Sequence, residues 1–183
     1  GGWVLTRQAY KGSGTLLIGP HFRAGPNWGG WGGTGTDVDG VLLKIGGLSE
    51  GKASTLVDVV SGRKRDVIGS AADKISIAIG EWQHLLYSYE AGTGKLYLNG
   101  KLVQSADNVP FKAGKMPLII GSDLATWGVW PIAKRSLDGS IRDLVVFDRA
   151  LTAAEVQRLY EHTASDAPPP GSAPARLAET VAL

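Results

Sequence analysis

The sequence predicts an all-β sandwich or barrel that ends in one short helix, and three observations support this. Glycine is abundant, at 26 residues, and separates many short segments rich in β-branched side chains. This pattern favours an antiparallel β protein over alternating strands and helices. Asn99-Gly100 lies between LYL and KLV. Both residues tolerate positive φ, so a two-residue type I′ hairpin is expected there. The third observation is a capped helix near the C-terminus.

The helix is predicted to begin after Thr152, a natural N-cap, and Glu155 three residues later completes a capping box. Leu151 and Val156 occupy the positions of a hydrophobic staple, which would fix the angle at which the chain enters the helix. Val156 and residues 159–160 share one apolar face. We therefore expect this helix to dock on an apolar surface of the sheets.

Short apolar segments between turn residues define the predicted strands. These are Thr15–Phe22, Val41–Ile45, Thr55–Val60, Lys74–Ile79, Gln83–Tyr89, Lys95–Leu98, Lys101–Gln104, Leu118–Ile120 and Ser140–Phe147. After about Ser165 the sequence APPPGSAP is typical of an extended linker. We therefore predict one domain over residues 1–163 and a proline-rich linker and tail over residues 164–183.

Composition removes several classes of function. The chain has 183 residues and no cysteine, which excludes disulfides and thiolate chemistry. No apolar run approaches the roughly 18 residues of a membrane helix, so membrane insertion is not expected. The net charge is only +2. The densest basic run, Arg63–Arg65, is followed at once by Asp66. We predict a solvated loop there, and no nucleic-acid-binding face.

Three segments carry a family resemblance: GEWQHLLYSYEAGTGKLYLNGKLV, PLIIGSD and LDGSIRDLVVFDRALTAAEVQRLY. Together they resemble the bacterial laminin G-like modules of the concanavalin A-like lectin/glucanase superfamily. The matching positions are Trp82, His84, Asn99-Gly100, Ile120-Gly121, Asp138-Gly139 and Ala150-Leu151 through Glu155. The match spans roughly residues 80–162, and the N-terminal half departs from the pattern. The resemblance implies an antiparallel jelly-roll sandwich of two sheets, one of them concave, and an extracellular or cell-surface location.

Six tryptophans are many for this length. Trp3 and Trp82 lie in strand-like segments and are predicted to pack in the core. The other four lie in the glycine-rich segments PNWGGWGGTGT and LATWGVWPIAK, as Trp28, Trp31, Trp127 and Trp130. Large rings left in water forgo their burial free energy, and sugar rings stack well on indoles. We interpret these four as ligand-binding residues; the alternative is that they cover an open sheet or fold inward.

Asp37 and Asp39 place two carboxylates on one face of an extended segment. With loop carbonyl oxygens they could hold Ca²⁺, which prefers oxygen ligands. Asp-Gly at residues 39–40 is also common in turns, so a metal site is one of two interpretations. No other cofactor is indicated by the sequence.

No strand shows the closely spaced acidic residues that glycosidases need, so no catalytic residue is assigned. The three histidines form no metal-spaced or triad-like set. His84 matches the strand histidine of the family and is predicted to be a structural residue with its hydrogen bonds satisfied. An enzyme would have to draw its carboxylates from separate strands, such as Asp37, Asp39 and Asp58.

These observations favour a non-catalytic carbohydrate-binding module, with a polysaccharide or oligosaccharide as its partner. The proline-rich segment fits a tether to a neighbouring domain of a larger secreted or surface protein. The first alternative is a protein-interaction or structural accessory domain of a multidomain enzyme. The second is a glycan hydrolase or lyase.

Overall fold

The computed structural model describes residues 1–7, 15–20, 38–46, 54–62, 64–68, 75–109, 118–121 and 137–165. Eleven strands lie in these ranges: β1 Gly2–Thr6, β2 Thr15–Pro20, β3 Val38–Gly46, β4 Ser54–Gly62, β5 Lys64–Ile68, β6 Ser76–Ala78, β7 Trp82–Glu90, β8 Thr93–Leu98, β9 Lys101–Ala106, β10 Leu118–Ile120 and β11 Gly139–Arg142. One helix, α1, follows at Ala153–Ala164. It is too short to span a membrane, and the described residues contain no other helix that could.

The strands form two antiparallel sheets. The five-stranded sheet has the order β11-β1-β7-β8-β9. The six-stranded sheet has the order β10-β2-β3-β4-β5, with β6 also paired to β4. Sequence neighbours pair in the hairpins β7–β8 and β8–β9, whereas β1 joins β11 across almost the whole chain. Such long-range pairing is a property of the fold that no local segment encodes.

Side chains from both sheets share one apolar core. Val4, Leu85 and Leu96 of the five-stranded sheet pack in the same cluster as Leu43 and Ile77 of the six-stranded sheet. Because successive strand residues point to opposite faces, these positions define the inner face of each sheet. The two sheets therefore face each other, and the predicted all-β sandwich with one short C-terminal helix is confirmed.

Helix α1 packs on the outer face of the five-stranded sheet. Leu86 of β7 and Tyr97 of β8 alternate with the core residues of their strands and pack against Leu151, Val156 and Leu159. The predicted apolar helix face and the hydrophobic staple are thus confirmed. One face of this sheet supports the core, and the other supports the helix.

The capping box is also confirmed. The Glu155 backbone N–H donates to Thr152 Oγ1 at 3.3 Å, and the Thr152 N–H donates to Glu155 Oε2 at 2.8 Å. These reciprocal bonds satisfy two backbone donors that the first helical turn would otherwise leave without partners. The helix therefore begins where the local sequence predicts.

The Asn99-Gly100 turn has the predicted geometry, with φ of 50° at Asn99 and 77° at Gly100. Leu98 and Lys101 are the last paired residues of the hairpin. Asn99 also joins the turn to β7, because its Oδ1 accepts from the His84 N–H at 2.9 Å and its own N–H donates to the His84 carbonyl at 2.8 Å. The turn thus fixes the position of His84 beside β8.

Two sequence predictions about strands are wrong. A strand was expected over Ser140–Phe147, but β11 ends at Arg142 because Asp143 adopts a positive φ of 49°, which breaks the extended backbone. A solvated loop was expected at residues 63–65, but Lys64 begins β5 and faces Ser61 of β4. Charged residues are common on edge strands, where they discourage pairing between molecules.

Candidate functional site

The four tryptophans predicted to bind ligand, Trp28, Trp31, Trp127 and Trp130, lie outside the described residues. The strand ends on either side of the two segments that contain these tryptophans are described. The first pair belongs to residues 21–37, which connect β2 to β3. The second pair belongs to residues 122–136, which connect β10 to β11. The placement of these strand ends defines where each segment leaves the sandwich.

Both segments leave from neighbouring strands of the six-stranded sheet. Leu118 of β10 is the Cα partner of Pro20 of β2, and Ile120 is the partner of Ile18. The last residues of the two strands, Pro20 and Ile120, are therefore roughly 8 Å apart by standard strand geometry. Because the strands are antiparallel, the two segments leave in opposite directions along the sheet. The structure thus brings their starting points together.

The second segment also returns to its starting point. The Leu137 backbone N–H donates to the Gly121 carbonyl at 2.7 Å, which closes the base of the intervening 122–136 connection. Gly121 has a φ of 70°, a conformation that glycine adopts without steric cost. A long connection whose ends lie close together is typical of functional surface loops. Sequence reasoning identified Gly121 as a strand end and did not identify Leu137.

The candidate calcium ligands lie where the first segment enters β3. Asp37 is outside the described residues, and Asp39 is part of β3. Val38 pairs with Gly62, and the next pair is Val41 with Ser61, so the register skips Asp39 and Gly40. This irregularity is a β-bulge, a feature common near functional sites. Within the ranges that the structure describes, no group of three or more acidic, histidine or cysteine residues could hold a metal ion.

The strand register places two of the three acidic residues of the enzyme hypothesis, Asp39 and Asp58. Asp58 of β4 is the Cα partner of Lys44, which lies five residues beyond Asp39 in β3. The bulge shortens this path, because Val38 faces Gly62 and Asp39 therefore lies only three to four β4 residues from Asp58. The two Cα atoms are about 12 Å apart by standard strand geometry. Glycosidase carboxyl pairs lie roughly 5–9.5 Å apart. The backbone register therefore does not bring Asp39 and Asp58 directly opposite each other on β3 and β4.

Trp3 and Trp82 have structural roles on the outer face of the five-stranded sheet. Trp3 is 4% exposed, which confirms its predicted burial, whereas Trp82 is only half-buried. The Arg142 guanidinium carbon lies 5.2 Å from the ring centroid of Trp3 and 5.5 Å from that of Trp82, within the range of cation–π attraction. Arg142 also donates to the carbonyl of Thr163 at the end of α1. Through these contacts, the two indoles help to hold the outer face of the five-stranded sheet together.

Comparison with known proteins identifies the family. A laminin G family model, described as the concanavalin A-like lectin/glucanases superfamily, matches residues 23–157. This chain therefore belongs to the concanavalin A-like lectin/glucanase superfamily. The match begins well before residue 80 and so includes much of the N-terminal half. No curated protein matches the chain significantly.

One solved structure supports the same fold. A native heptameric SAP-like pentraxin from Limulus polyphemus superposes with a TM-score of 0.59 at 17% identity, over 87% of this chain and 67% of the pentraxin. An S-layer domain-containing protein from Clostridium thermocellum (residues 221–444) matches with a TM-score of 0.38 at 22% identity. That match covers 67% of this chain and 57% of the S-layer protein chain.

Proposed function

We propose that this chain is a non-catalytic carbohydrate-binding module that holds a polysaccharide or oligosaccharide against the tryptophans of residues 21–37 and 122–136. The module belongs, in this proposal, to a larger secreted or cell-surface protein. Membership in a superfamily of lectins and glucanases supports the glycan as ligand class. The strand register agrees with binding without catalysis, because Asp39 and Asp58 are not opposite each other on β3 and β4.

The observation that carries the proposal is the origin of the two tryptophan segments. Both leave from β2 and β10, adjacent strands of the six-stranded sheet. Helix α1 packs on the outer face of the other sheet, where Leu86 and Tyr97 contact Val156. The sheet whose outer face α1 leaves uncovered is therefore the sheet from which both segments start. A glycan chain bound beside this sheet would meet indoles from two directions.

Indole rings suit this role for physical reasons. Their flat apolar faces match the C–H faces of sugar rings, and the ring N–H gives one directional hydrogen bond. The segment of Trp28 and Trp31 is rich in glycine, so it offers few other side chains for binding. We expect this pair to contribute more binding free energy than Trp127 and Trp130.

Calcium is a subsidiary part of the proposal. Asp37 and Asp39 would supply carboxylate oxygens, and the β-bulge at residues 39–40 would add backbone carbonyls that the β4 register does not pair. A bound ion would raise the melting temperature in proportion to the logarithm of its concentration. A melting temperature that stays the same between chelator and millimolar Ca²⁺ would remove calcium from the proposal.

A protein-binding role is the second candidate, and one observation favours it. Val146 and Phe147 are adjacent, apolar and 70% and 46% exposed. Exposed apolar patches mark protein contacts when they are extended. Replacing both residues with serine would weaken docking to a neighbouring domain and leave glycan retention unchanged, whereas the tryptophan variants would do the reverse.

The test of the proposed function is a glycan array, probed with the wild-type chain in millimolar calcium and again in chelator. We expect binding to at least one polysaccharide class, with no release of reducing ends or unsaturated products. Product release would show an enzyme. Absence of binding to every glycan in both conditions would contradict the proposal.

A further inference from the structure

A buried histidine lies beneath helix α1, next to two aromatic rings. His84 of β7 is 1% exposed. Its ring centroid lies 5.4 Å from that of Trp3 in an edge-on arrangement and 6.0 Å from that of Tyr160 of α1. Trp3 and Tyr160 stack on each other with centroids 5.5 Å apart. The imidazole therefore lies between the sheet and the helix that covers it.

One ring nitrogen of the imidazole lacks the hydrogen bond that a structural histidine usually makes there. His84 Nδ1 is buried and has no hydrogen-bond partner. The prediction that all hydrogen bonds of His84 are satisfied is therefore wrong. The bonds between His84 and Asn99 involve only the His84 backbone. A protonated ring would place a positive charge, with an N–H donor that has no acceptor, inside an apolar contact.

The charged groups around His84 come from three places. Arg142 of β11 lies over the Trp3 ring, and it adds a second positive charge on this face. Burial is the main cause that lowers the pKa of His84 to about 4, the α-amino group of Gly1 acts in the same direction, and Asp143 acts in the opposite direction. From the helix, the phenol ring of Tyr160 faces the imidazole, and from the β8–β9 turn the amide of Asn99 bonds to the His84 backbone.

We propose that protonation of His84 releases helix α1 from the five-stranded sheet, so that acid exposes the apolar surface beneath it. The surface that release uncovers is formed by Leu86 and Tyr97, which are 2% and 1% exposed under Leu151 and Val156. Release needs no change in the inner core, because Leu85 and Leu96 point to the other face of the same strands. Helix docking thus becomes an acid-sensitive step separate from sandwich formation.

The direction of the effect follows from proton linkage. In the released state the imidazole is hydrated and binds a proton near pH 6.5, whereas in the docked state it binds one only near pH 4. Acid therefore favours release as the pH falls through 6.5, and the effect is complete below 4. The difference between these two values corresponds to a change of about 300-fold in the docking equilibrium.

The experiment measures amide hydrogen exchange of the full chain between pH 7.5 and pH 4, with rates corrected for the intrinsic effect of pH. We expect the amides of residues 153–164 to lose protection while those of β7 and β8 keep theirs. An NMR titration of the His84 ring should follow the same pH profile as the helix amides. The proposal would be overturned if the helix and strand amides lost protection at the same pH. It would also be overturned if the helix amides stayed protected down to pH 4.

Two variants compare His84 with the exposed histidine of the same helix. His84→Phe keeps a ring of similar size without a proton-binding site and should move helix release to lower pH by one unit or more. His162→Gln removes an exposed histidine of the same helix and should leave the profile unchanged. An unchanged profile in His84→Phe would overturn the proposal. If that variant does not fold, the wild-type titration is the test. A His84 titration at a different pH from the loss of helix protection would then overturn the proposal.

Discussion

The indole N–H of Trp3 donates to Thr163 Oγ1 at 2.8 Å and so joins the first strand to the last turn of α1. The Thr163 hydroxyl in turn donates to the Leu159 carbonyl at 2.9 Å. Since Trp3 also stacks on Tyr160, one side chain contacts the helix in two ways. This pair connects residues 160 positions apart and holds α1 on the outer face of the five-stranded sheet.

The Trp3–Thr163 bond should show energetic coupling. Trp3→Phe removes the donor and part of the ring, and we expect a loss of about 1–3 kcal/mol in the free energy of unfolding. Thr163→Val should lose about 1 kcal/mol. In a double-mutant cycle by urea denaturation, the coupling should be about 0.5–1.5 kcal/mol. Thr163→Ser keeps the hydroxyl and serves as the control; strict additivity would show that the bond contributes nothing.

Gly100 is predicted to tolerate no side chain. Its φ is 77°, and an added Cβ would lie 2.6 Å from Gln157 Oε1 and 3.0 Å from the Tyr160 ring. Gly100→Ala therefore combines backbone strain with crowding of Tyr160, whereas the flexible end of Gln157 can turn away. We expect a loss of about 2 kcal/mol in the free energy of unfolding. Thermal denaturation provides the measurement.

Gly92 is the matched control for this substitution. Its φ of 89° is similarly unfavourable, but an added Cβ would meet nothing within 4 Å. Gly92→Ala should therefore lower the free energy of unfolding by the backbone contribution alone, about 1 kcal/mol. Equal losses at the two positions would mean that the hairpin turn does not support the helix.

Tyr87 carries a hydroxyl whose removal should not harm the fold. Its OH is buried without a hydrogen-bond partner, and burial raises the pKa of Tyr87 to about 12. Tyr87→Phe breaks no hydrogen bond and removes a hydroxyl that is buried without a partner. The substitution should therefore be neutral or should stabilise the fold by up to about 1 kcal/mol. Tyr89→Phe, which removes a donor to the Val109 carbonyl, is the comparison. Destabilisation by Tyr87→Phe of more than 1 kcal/mol would contradict this account.

Local features of the fold could be predicted from the sequence, because their causes are local. The capping box needs only Thr152 and Glu155, and the type I′ turn needs only Asn99 and Gly100. The charged edge strand β5 could not be predicted, since Lys64 begins a strand only because β4 offers a pairing edge. Tertiary pairing overrides local propensity in such segments.

The candidate site was less predictable than the fold. Tryptophan and glycine composition marked both segments, but nothing local shows that they start from adjacent strands. The bond that closes the second segment joins Gly121 and Leu137 and depends on where β10 and β11 lie in the two sheets. His84 was recognised from the family pattern, and its lack of a partner for Nδ1 could be found only in three dimensions.

The most direct test of the central claim is retention in native gels that contain a polysaccharide identified by the array. Trp28→Ala/Trp31→Ala should lose at least tenfold in affinity with an unchanged melting temperature, and Trp127→Ala/Trp130→Ala should lose less. Trp3→Phe should lower the melting temperature and keep its retention. Full retention after replacement of all four segment tryptophans would contradict the account.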